Sequence, residues 1–128
     1  MKFIALLFAD RELAHIPAPG TDEFSTLLED WSKFNTMLAD GGHLVEGATA
    51  VDETTVLRKS ADMKVTESTP PADELPWLGG YYVIEADDVQ AASALMQQAP
   101  TSPGDTFIRP MMFPVTAGSV DDNGGDWS

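Results

Sequence analysis

The fold is decided by residues 2–9, which read KFIALLFA and are apolar at almost every position. In a β-strand the odd-numbered and even-numbered residues of this stretch would point to opposite faces, and both sets are apolar. Such a strand has to be covered on both sides. The apolar run is far shorter than the ~20 residues needed to cross a bilayer. We therefore interpret residues 2–9 as a strand rather than as a signal or membrane segment.

A long amphipathic helix is predicted next along the chain. Thr21 is a suitable N-cap ahead of an acidic first turn. Gly41 and Gly42 can end the helix, because glycine adopts a left-handed conformation at little cost. Between these signals apolar residues recur with a period of about 3.6, which predicts a helix of about five turns. Its apolar stripe consists of Phe24, Leu27, Leu28, Trp31, Phe34 and Leu38.

Further strands and a second helix complete the pattern. Asp87 or Asp88 can cap the second helix, and Pro100 ends it. Three prolines make residues 67–76 a loop, since proline is excluded from central strands and helix interiors. The remaining predicted strands are residues 44–47, a hairpin of residues 54–58 and 63–66, residues 81–86 and residues 107–113.

This order of elements predicts an α+β fold of the ferredoxin-like split βαβ type, an antiparallel sheet with both helices on one face. The other face of that sheet would be bare. Because residues 2–9 and 81–86 are apolar on that side as well, a single copy would expose a large apolar patch. We therefore predict a homodimer through stacked sheet faces, a dimeric α+β barrel.

The length of 128 residues fits one domain, which we place at residues 1–113. Residues 114–128 form an acidic, glycine-rich C-terminal tail that we expect to be flexible. A run of acidic residues at 121–126 is faintly similar to a calcium loop, but it lacks the length and the terminal Glu of an EF-hand. No metal site and no cofactor are predicted.

Charge and cysteine content exclude several classes of function. Seven basic and 21 acidic residues give a net charge of −14, which would repel nucleic acid and anionic membranes. The chain has no cysteine, so it can form neither a disulfide nor a thiolate metal site. Together with the absence of an export signal, this composition predicts a cytoplasmic protein.

Several short motifs, in order, resemble the YCII-related family, also called the DGPF-domain family, whose members are small dimeric α+β barrels. The motifs are Lys33-Phe34-Asn35, Leu38-Ala39-Asp40-Gly41-Gly42, Leu44-Val45-Glu46-Gly47, Val65-Thr66, Leu78-Gly79-Gly80-Tyr81-Tyr82-Val83-Ile84 and Ile108-Arg109-Pro110-Met111. The name-giving Asp-Gly-Pro-Phe is replaced here by residues 67–70, which read Glu-Ser-Thr-Pro. By this resemblance Glu67 is the residue placed to stand in for the family's aspartate.

The candidate catalytic residues are one histidine and two carboxylates. His43 follows the helix-ending glycines, near the expected opening of a pocket between the sheet and the first helix. Asp10 and Glu67 each lie at the end of a strand, from which their carboxylates could point into the same cavity. Some relatives in the wider YCII group resemble lyases or dehydrochlorinases that use a His with an Asp. The alternatives are an exposed loop histidine and solvated carboxylates. His15, in a proline-rich loop, is interpreted as incidental.

The candidate ligand-binding residues are Arg109, Trp31 and Tyr82. Arg109 lies within an apolar strand, where a buried guanidinium would need a carboxylate partner or an anionic ligand. Trp31 and Tyr82 would form the walls of the pocket, and a carboxylate held beside them would have a raised pKa.

Two functions remain open from the sequence. The first is the binding of a small organic ligand or a regulatory role; some members of the resembled family are similar to accessory proteins of extracytoplasmic-function sigma factors. The alternative is a lyase or isomerase that performs proton transfer on a small carboxylated or hydroxylated compound. In that version His43 or Glu67 is the base and Arg109 orients the anion.

Overall fold

The computed structural model describes residues 1–112, 115–116 and 119–120. A short 3₁₀ turn, Ala72–Glu74, lies in the proline-containing loop. The helices and strands are β1 (Lys2–Ala9), α1 (Asp22–Asp40), β2 (Leu44–Thr49), β3 (Val56–Lys59), β4 (Val65–Ser68), β5 (Trp77–Glu85), α2 (Val89–Met96), β6 (Gly104–Pro110), β7 (Val115–Thr116) and β8 (Ser119–Val120).

Four strands form one antiparallel sheet in the order β2-β5-β1-β6. The strand of residues 2–9 is central, as its apolar residues on both faces require. The prediction of an α+β protein with an antiparallel sheet and two helices is confirmed, and the sheet has four strands. Strands β3 and β4 pair only with each other and form a separate hairpin.

The main core of the described residues lies between one face of this sheet and both helices. The odd-numbered residues of β1 and Ile84 of β5 supply the sheet side. Phe34 and Leu38 of α1 and Ala92 and Met96 of α2 supply the helix side. Both helices therefore cover the same face, which we call the inner face. The even-numbered residues of β1 lie on the opposite, outer face.

Both helices begin where the sequence predicts. The Thr21 hydroxyl accepts a hydrogen bond from the backbone N–H of Phe24 at 3.2 Å, and the Asp88 carboxylate accepts one from Ala91 at 2.8 Å. Each cap satisfies a backbone donor that has no partner within its helix. At the other end of α1, Gly42 adopts a φ of 74°, the left-handed conformation expected after a helix.

Every predicted strand after the first has at least one wrong boundary. β2 extends to Thr49, and the hairpin strands lie two residues later than predicted at their starts, so Glu67 and Ser68 belong to β4 rather than to the loop. The remaining two strands differ because of their glycines. β5 begins at Trp77 and includes both glycines, because Gly79 and Gly80 continue the pairing with β1 and β2 instead of forming a turn. The last long strand covers Gly104–Pro110 rather than 107–113. It begins early because Gly104 pairs with Ala9; a Cβ at residue 104 would lie 2.0 Å from the Phe8 carbonyl oxygen.

The predicted tail contains some regular structure. Val115–Thr116 pairs with Ser119–Val120 in a two-stranded antiparallel ribbon. The acidic run at 121–126 lies outside the described residues. Within the described part of the chain, neither helix is long and apolar enough to span a bilayer.

Candidate ligand-binding site

A cavity of about 670 Å³ lies between the inner face of the sheet and residues 27–35 of α1. Only Phe34 and Leu38, in the second half of α1, are buried in the core. The earlier part of the apolar stripe stands over the cavity, and Leu28 is 54% exposed. The residues that α1 contributes to the lining are Leu27, Leu28, Trp31, Ser32 and Asn35.

The floor of the cavity is a stretch of sheet with few side chains. Four glycines line it, namely Gly47, Gly79, Gly80 and Gly104. Gly80 is opposite Leu7, and Gly47 is opposite Tyr82. Because these positions carry no side chain, the described part of the chain leaves the space under α1 unfilled. Leu7, Thr49, Tyr82 and Thr106 complete the sheet side of the lining.

Two aromatic rings, those of Trp31 and Tyr82, form one wall of the cavity, and the ring of Phe34 packs against both from the core. The rings of Trp31 and Tyr82 stack with their centroids 6.1 Å apart and 13° from parallel. Phe34 packs edge-on against both, at centroid distances of 5.9 Å from Trp31 and 5.5 Å from Tyr82. Edge-to-face and stacked contacts of this kind fix the ring orientations, so the wall is preorganised.

Tyr82 and Asn35 form the polar pair of this wall. The Tyr82 hydroxyl donates a hydrogen bond to Asn35 Oδ1. Burial raises the pKa of Tyr82 above its ordinary value, and the hydrogen bond to Asn35 offsets part of that rise. Tyr82 is therefore an uncharged hydrogen-bonding group at neutral pH.

A second indole, Trp77, is held at the loop side of the cavity by Arg11. The guanidinium lies 5.6 Å from the Trp77 ring centroid, and its Nε donates to the Leu75 carbonyl at 2.8 Å. Its two terminal nitrogens contact both Asp52 oxygens, at 2.8 and 3.0 Å. The hydrogen bonds from Arg11 lower the pKa of Asp52 below its usual range. Arg11 thus ties the segments on either side of the β3–β4 hairpin to the start of β5.

Of the predicted site residues, the cavity contains Trp31 and Tyr82. His43 is not part of the lining. Its Nδ1 lies 2.9 Å from the Glu85 carbonyl oxygen, and its ring packs beside Gly41 at the end of α1. His43 therefore packs at the C-terminal end of α1, as residues that follow a helix commonly do.

Asp10 and Glu67 also lie outside the lining. The Asp10 carboxylate accepts hydrogen bonds from the backbone N–H groups of Glu12 and Leu13, so it stabilises the turn after β1. Glu67 is exposed on the β3–β4 hairpin, where it is paired with Leu57. The structure does not bring His43, Asp10 and Glu67 together.

The expectation that Arg109 is buried is wrong. Arg109 is exposed and pairs with Ile4, so it lies on the outer face of the sheet, away from the cavity. The sequence suggested burial because the neighbouring residues are apolar, but this edge strand is half-buried at Ile108 and exposed at the residues on either side.

Sequence reasoning missed Asn35, Trp77 and Arg11 as site residues. Asn35 could have been found, because it follows Trp31 by four residues and so shares its helix face. Trp77 follows a proline-rich loop, and no local signal indicates that a strand begins there. No local signal identifies Arg11, since its partner Asp52 is 41 residues away in the sequence.

No group of three or more histidines or carboxylates among the described residues is arranged to hold a metal ion. No protein-family model matches the chain, and no curated protein matches its sequence. The candidate site is therefore defined by its own geometry.

Proposed function

We propose that this protein binds a small organic ligand in the cavity beneath α1. The observation that carries the proposal is the uncovered half of the α1 apolar stripe. Leu27, Leu28 and Trp31 have helical spacing suited to core packing, yet they line an unfilled space of about 670 Å³. Pockets for small ligands have volumes of roughly 300–1,000 Å³ and mostly apolar walls with a few polar groups. Both features hold here.

Binding without chemistry is favoured over the lyase or isomerase alternative. Proton transfer needs a base within hydrogen-bond reach of the substrate. The three predicted candidates, His43, Glu67 and Asp10, lie outside the cavity lining. A binding role, including that of a ligand-responsive accessory protein, requires only the apolar walls and the polar pair that are present.

A thermal-shift screen of uncharged and charged small molecules tests the proposal. Thr106 lines the cavity, so Thr106→Phe should occupy part of it, whereas Thr66→Phe adds the same ring on the β3–β4 hairpin, outside the lining. Compounds that raise the melting temperature of the wild type should stabilise Thr66→Phe and Glu67→Gln to the same extent, but Thr106→Phe less. The proposal fails if no compound stabilises the wild type or if Thr106→Phe responds equally.

We also propose that the protein is a homodimer that stacks the outer faces of two sheets. Support comes from the outer-face row of Tyr81, Leu6 and Phe107, which are cross-strand neighbours. Phe107 is 48% exposed and packs on Phe8 with ring centroids 5.3 Å apart. Covering such a face with a second copy would remove apolar surface from water.

The finer fold and family assignments are part of this proposal. The strand order β2-β5-β1-β6, with a helix after β1 and another after β5, supports a ferredoxin-like split βαβ arrangement. Membership of the YCII-related family, with its name-giving motif lost, is supported by the sequence motifs alone. The cytoplasmic location likewise stays a prediction from composition.

A further inference from the structure

The lining of the cavity contains no Asp, Glu, Lys, Arg or His among the described residues. This absence is notable in a chain with 21 acidic residues. A charged ligand entering the cavity would lose hydration and find no ionic partner there. Anions are further disfavoured, because the net charge of −14 repels them at long range.

The cation that contacts Trp77 of the lining is already paired. Arg11 lies over the Trp77 ring, but both of its terminal nitrogens contact the Asp52 carboxylate. The same guanidinium occupies one face of Trp77, and Tyr82 occupies one face of Trp31. The aromatic rings therefore do not enclose a common point as they do in a cage for an organic cation.

The lining of the cavity suits a flat aromatic ligand. Gly47, Gly79 and Gly80 contribute only backbone to the floor. Trp31 and Tyr82, stacked on each other, supply an aromatic wall beside it. A planar aromatic molecule can lie on the floor without meeting side chains, and contact with the aromatic wall adds to the burial of its apolar surface.

The polar pair supplies one oriented donor. Because Asn35 Oδ1 already accepts the Tyr82 hydroxyl hydrogen, the amide Nδ2 is the free end of this side chain. Among the described residues, Nδ2 makes no hydrogen bond. Every buried side-chain polar atom in this part of the chain has a hydrogen-bond partner. Because Nδ2 has none, it is not buried and is accessible. An amide N–H₂ requires an acceptor such as a carbonyl oxygen.

We propose that the ligand is an uncharged, planar aromatic molecule that carries a hydrogen-bond acceptor. This inference rests on the proposed function and specifies its ligand class. The Trp31 and Tyr82 wall contacts the ring system, and Asn35 Nδ2 donates to the acceptor. The class excludes the carboxylated compounds considered for the enzyme alternative, because Arg109, which was expected to orient the anion, lies on the other side of the sheet.

Three naphthalene probes of nearly equal shape test the ligand class on the full chain at neutral pH. They are naphthamide, naphthoate and naphthylmethylammonium, which are neutral, anionic and cationic. Isothermal titration should show naphthamide binding at least about tenfold more tightly than either charged probe, the difference reflecting desolvation of an unpaired charge. A charged probe that binds as tightly as naphthamide overturns the inference and leaves the proposed function standing.

The thermal-shift screen distinguishes failure of the ligand-class inference from failure of the proposed function. If screened compounds stabilise the wild type but none of the naphthalene probes binds, the inference alone is overturned. If neither the screened compounds nor the probes bind, the proposed function fails, and the inference fails with it.

One isosteric variant tests the role of the polar pair. Asn35→Asp keeps the shape and can still accept the Tyr82 hydroxyl hydrogen, but it places a carboxylate in the cavity. We expect naphthamide to bind about tenfold more weakly and naphthylmethylammonium to bind more tightly than to the wild type. Gln90→Glu, an exposed position on α2, adds the same charge outside the cavity and should change neither affinity. Equal effects of the two variants would overturn the assignment of Asn35.

Discussion

The ring of Tyr82 lies against the backbone of Gly47, its cross-strand neighbour on β2. A Cβ at residue 47 would lie 3.1 Å from Tyr82 Cδ1 and 3.1 Å from the Tyr81 carbonyl oxygen. The missing side chain at Gly47 therefore gives the ring its position, from which it stacks on Trp31 and its hydroxyl reaches Asn35. A glycine on one strand thus orients the aromatic wall of the candidate site.

Gly47→Ala should displace Tyr82 and weaken ligand binding. The new methyl group is too close to a carbonyl oxygen that cannot move easily, so we expect a loss of about 1–3 kcal/mol in the free energy of unfolding. Urea unfolding measures this change. Gly79→Ala is the matched control, since its Cβ would lie 3.7 Å from the nearest atom and still line the cavity. Equal destabilisation by both variants would contradict the account.

Tyr82→Phe should keep the ring stack but remove the hydrogen bond to Asn35. We expect a loss of about 1 kcal/mol of stability, measured by urea unfolding, and weaker naphthamide binding. Tyr81→Phe, on the outer face, is the control. Its hydroxyl lies 3.5 Å from Glu46 Oε2, so its removal should leave affinity unchanged.

The same tyrosine should affect stability at alkaline pH. Burial raises the pKa of Tyr82 in the folded state above its ordinary value of about 10. The contribution of Tyr82 to the free energy of unfolding is therefore complete below the ordinary pKa of about 10 and is lost as pH rises through the folded-state pKa. Melting temperatures measured across the alkaline range should fall less steeply in Tyr82→Phe than in the wild type. Parallel curves would contradict the raised pKa.

Arg11→Lys should loosen the loop side of the cavity. Lysine cannot contact both Asp52 oxygens while donating to the Leu75 carbonyl, and it lacks the planar group that lies over Trp77. Hydrogen exchange should show lower protection at residues 71–77, and naphthamide should bind more weakly. Arg58→Lys is the control because Arg58 is exposed on β3. Unchanged protection in Arg11→Lys would rule out this positioning role.

The contribution of Glu85 to the stability of the fold should be lost over a defined acidic range. Hydrogen bonds from Lys2 and from the amino group of Met1 lower the pKa of Glu85 from 4.5 to about 2. Because the folded-state pKa is depressed, the contribution is present above pH 4.5 and is lost as pH falls to about 2. Glu85→Gln should therefore show a shallower loss of melting temperature across this range. An unchanged slope would show that the ion pairs do not form.

Phe107→Lys should convert the proposed dimer to single copies. The lysine would place a charge within the apolar row of Tyr81, Leu6 and Phe107, and burying it there without a partner would oppose the stacking of two sheets. Sedimentation velocity at micromolar concentration measures the mass. Val89→Lys is the control, because the side chain of Val89 is exposed to a similar extent, 43% against 48% for Phe107, but lies on α2. A wild-type protein that sediments as a single copy would refute the dimer.

The order of elements could be predicted from local signals. The Thr21 and Asp88 caps begin the helices because their side chains bond backbone groups only three residues away. The central position of β1 follows from its apolar residues at both parities. Strand ends were less predictable, since Gly79 and Gly80 are typical turn residues that here continue a strand paired on both sides.

The candidate site was predictable only in part. Trp31 and Tyr82 could be proposed as pocket walls because they are large aromatic residues on elements expected to face each other. Arg109 could not be placed correctly, because the face of a strand on which a residue lies depends on pairing register. Shifting β6 by one residue against β1 would exchange the positions of Ile108 and Arg109 relative to the helices.

By itself the sequence determined which segments become helices and strands and that its central strand is apolar on both faces, since those properties depend on neighbouring residues. Only the tertiary structure decided that the described residues leave half of the α1 stripe uncovered, that none of those lining the resulting cavity is charged, and that Arg11 joins Asp52 to Trp77. The physical reason is that side-chain volume and charge are matched between residues far apart in the chain, and local propensity carries no information about those matches.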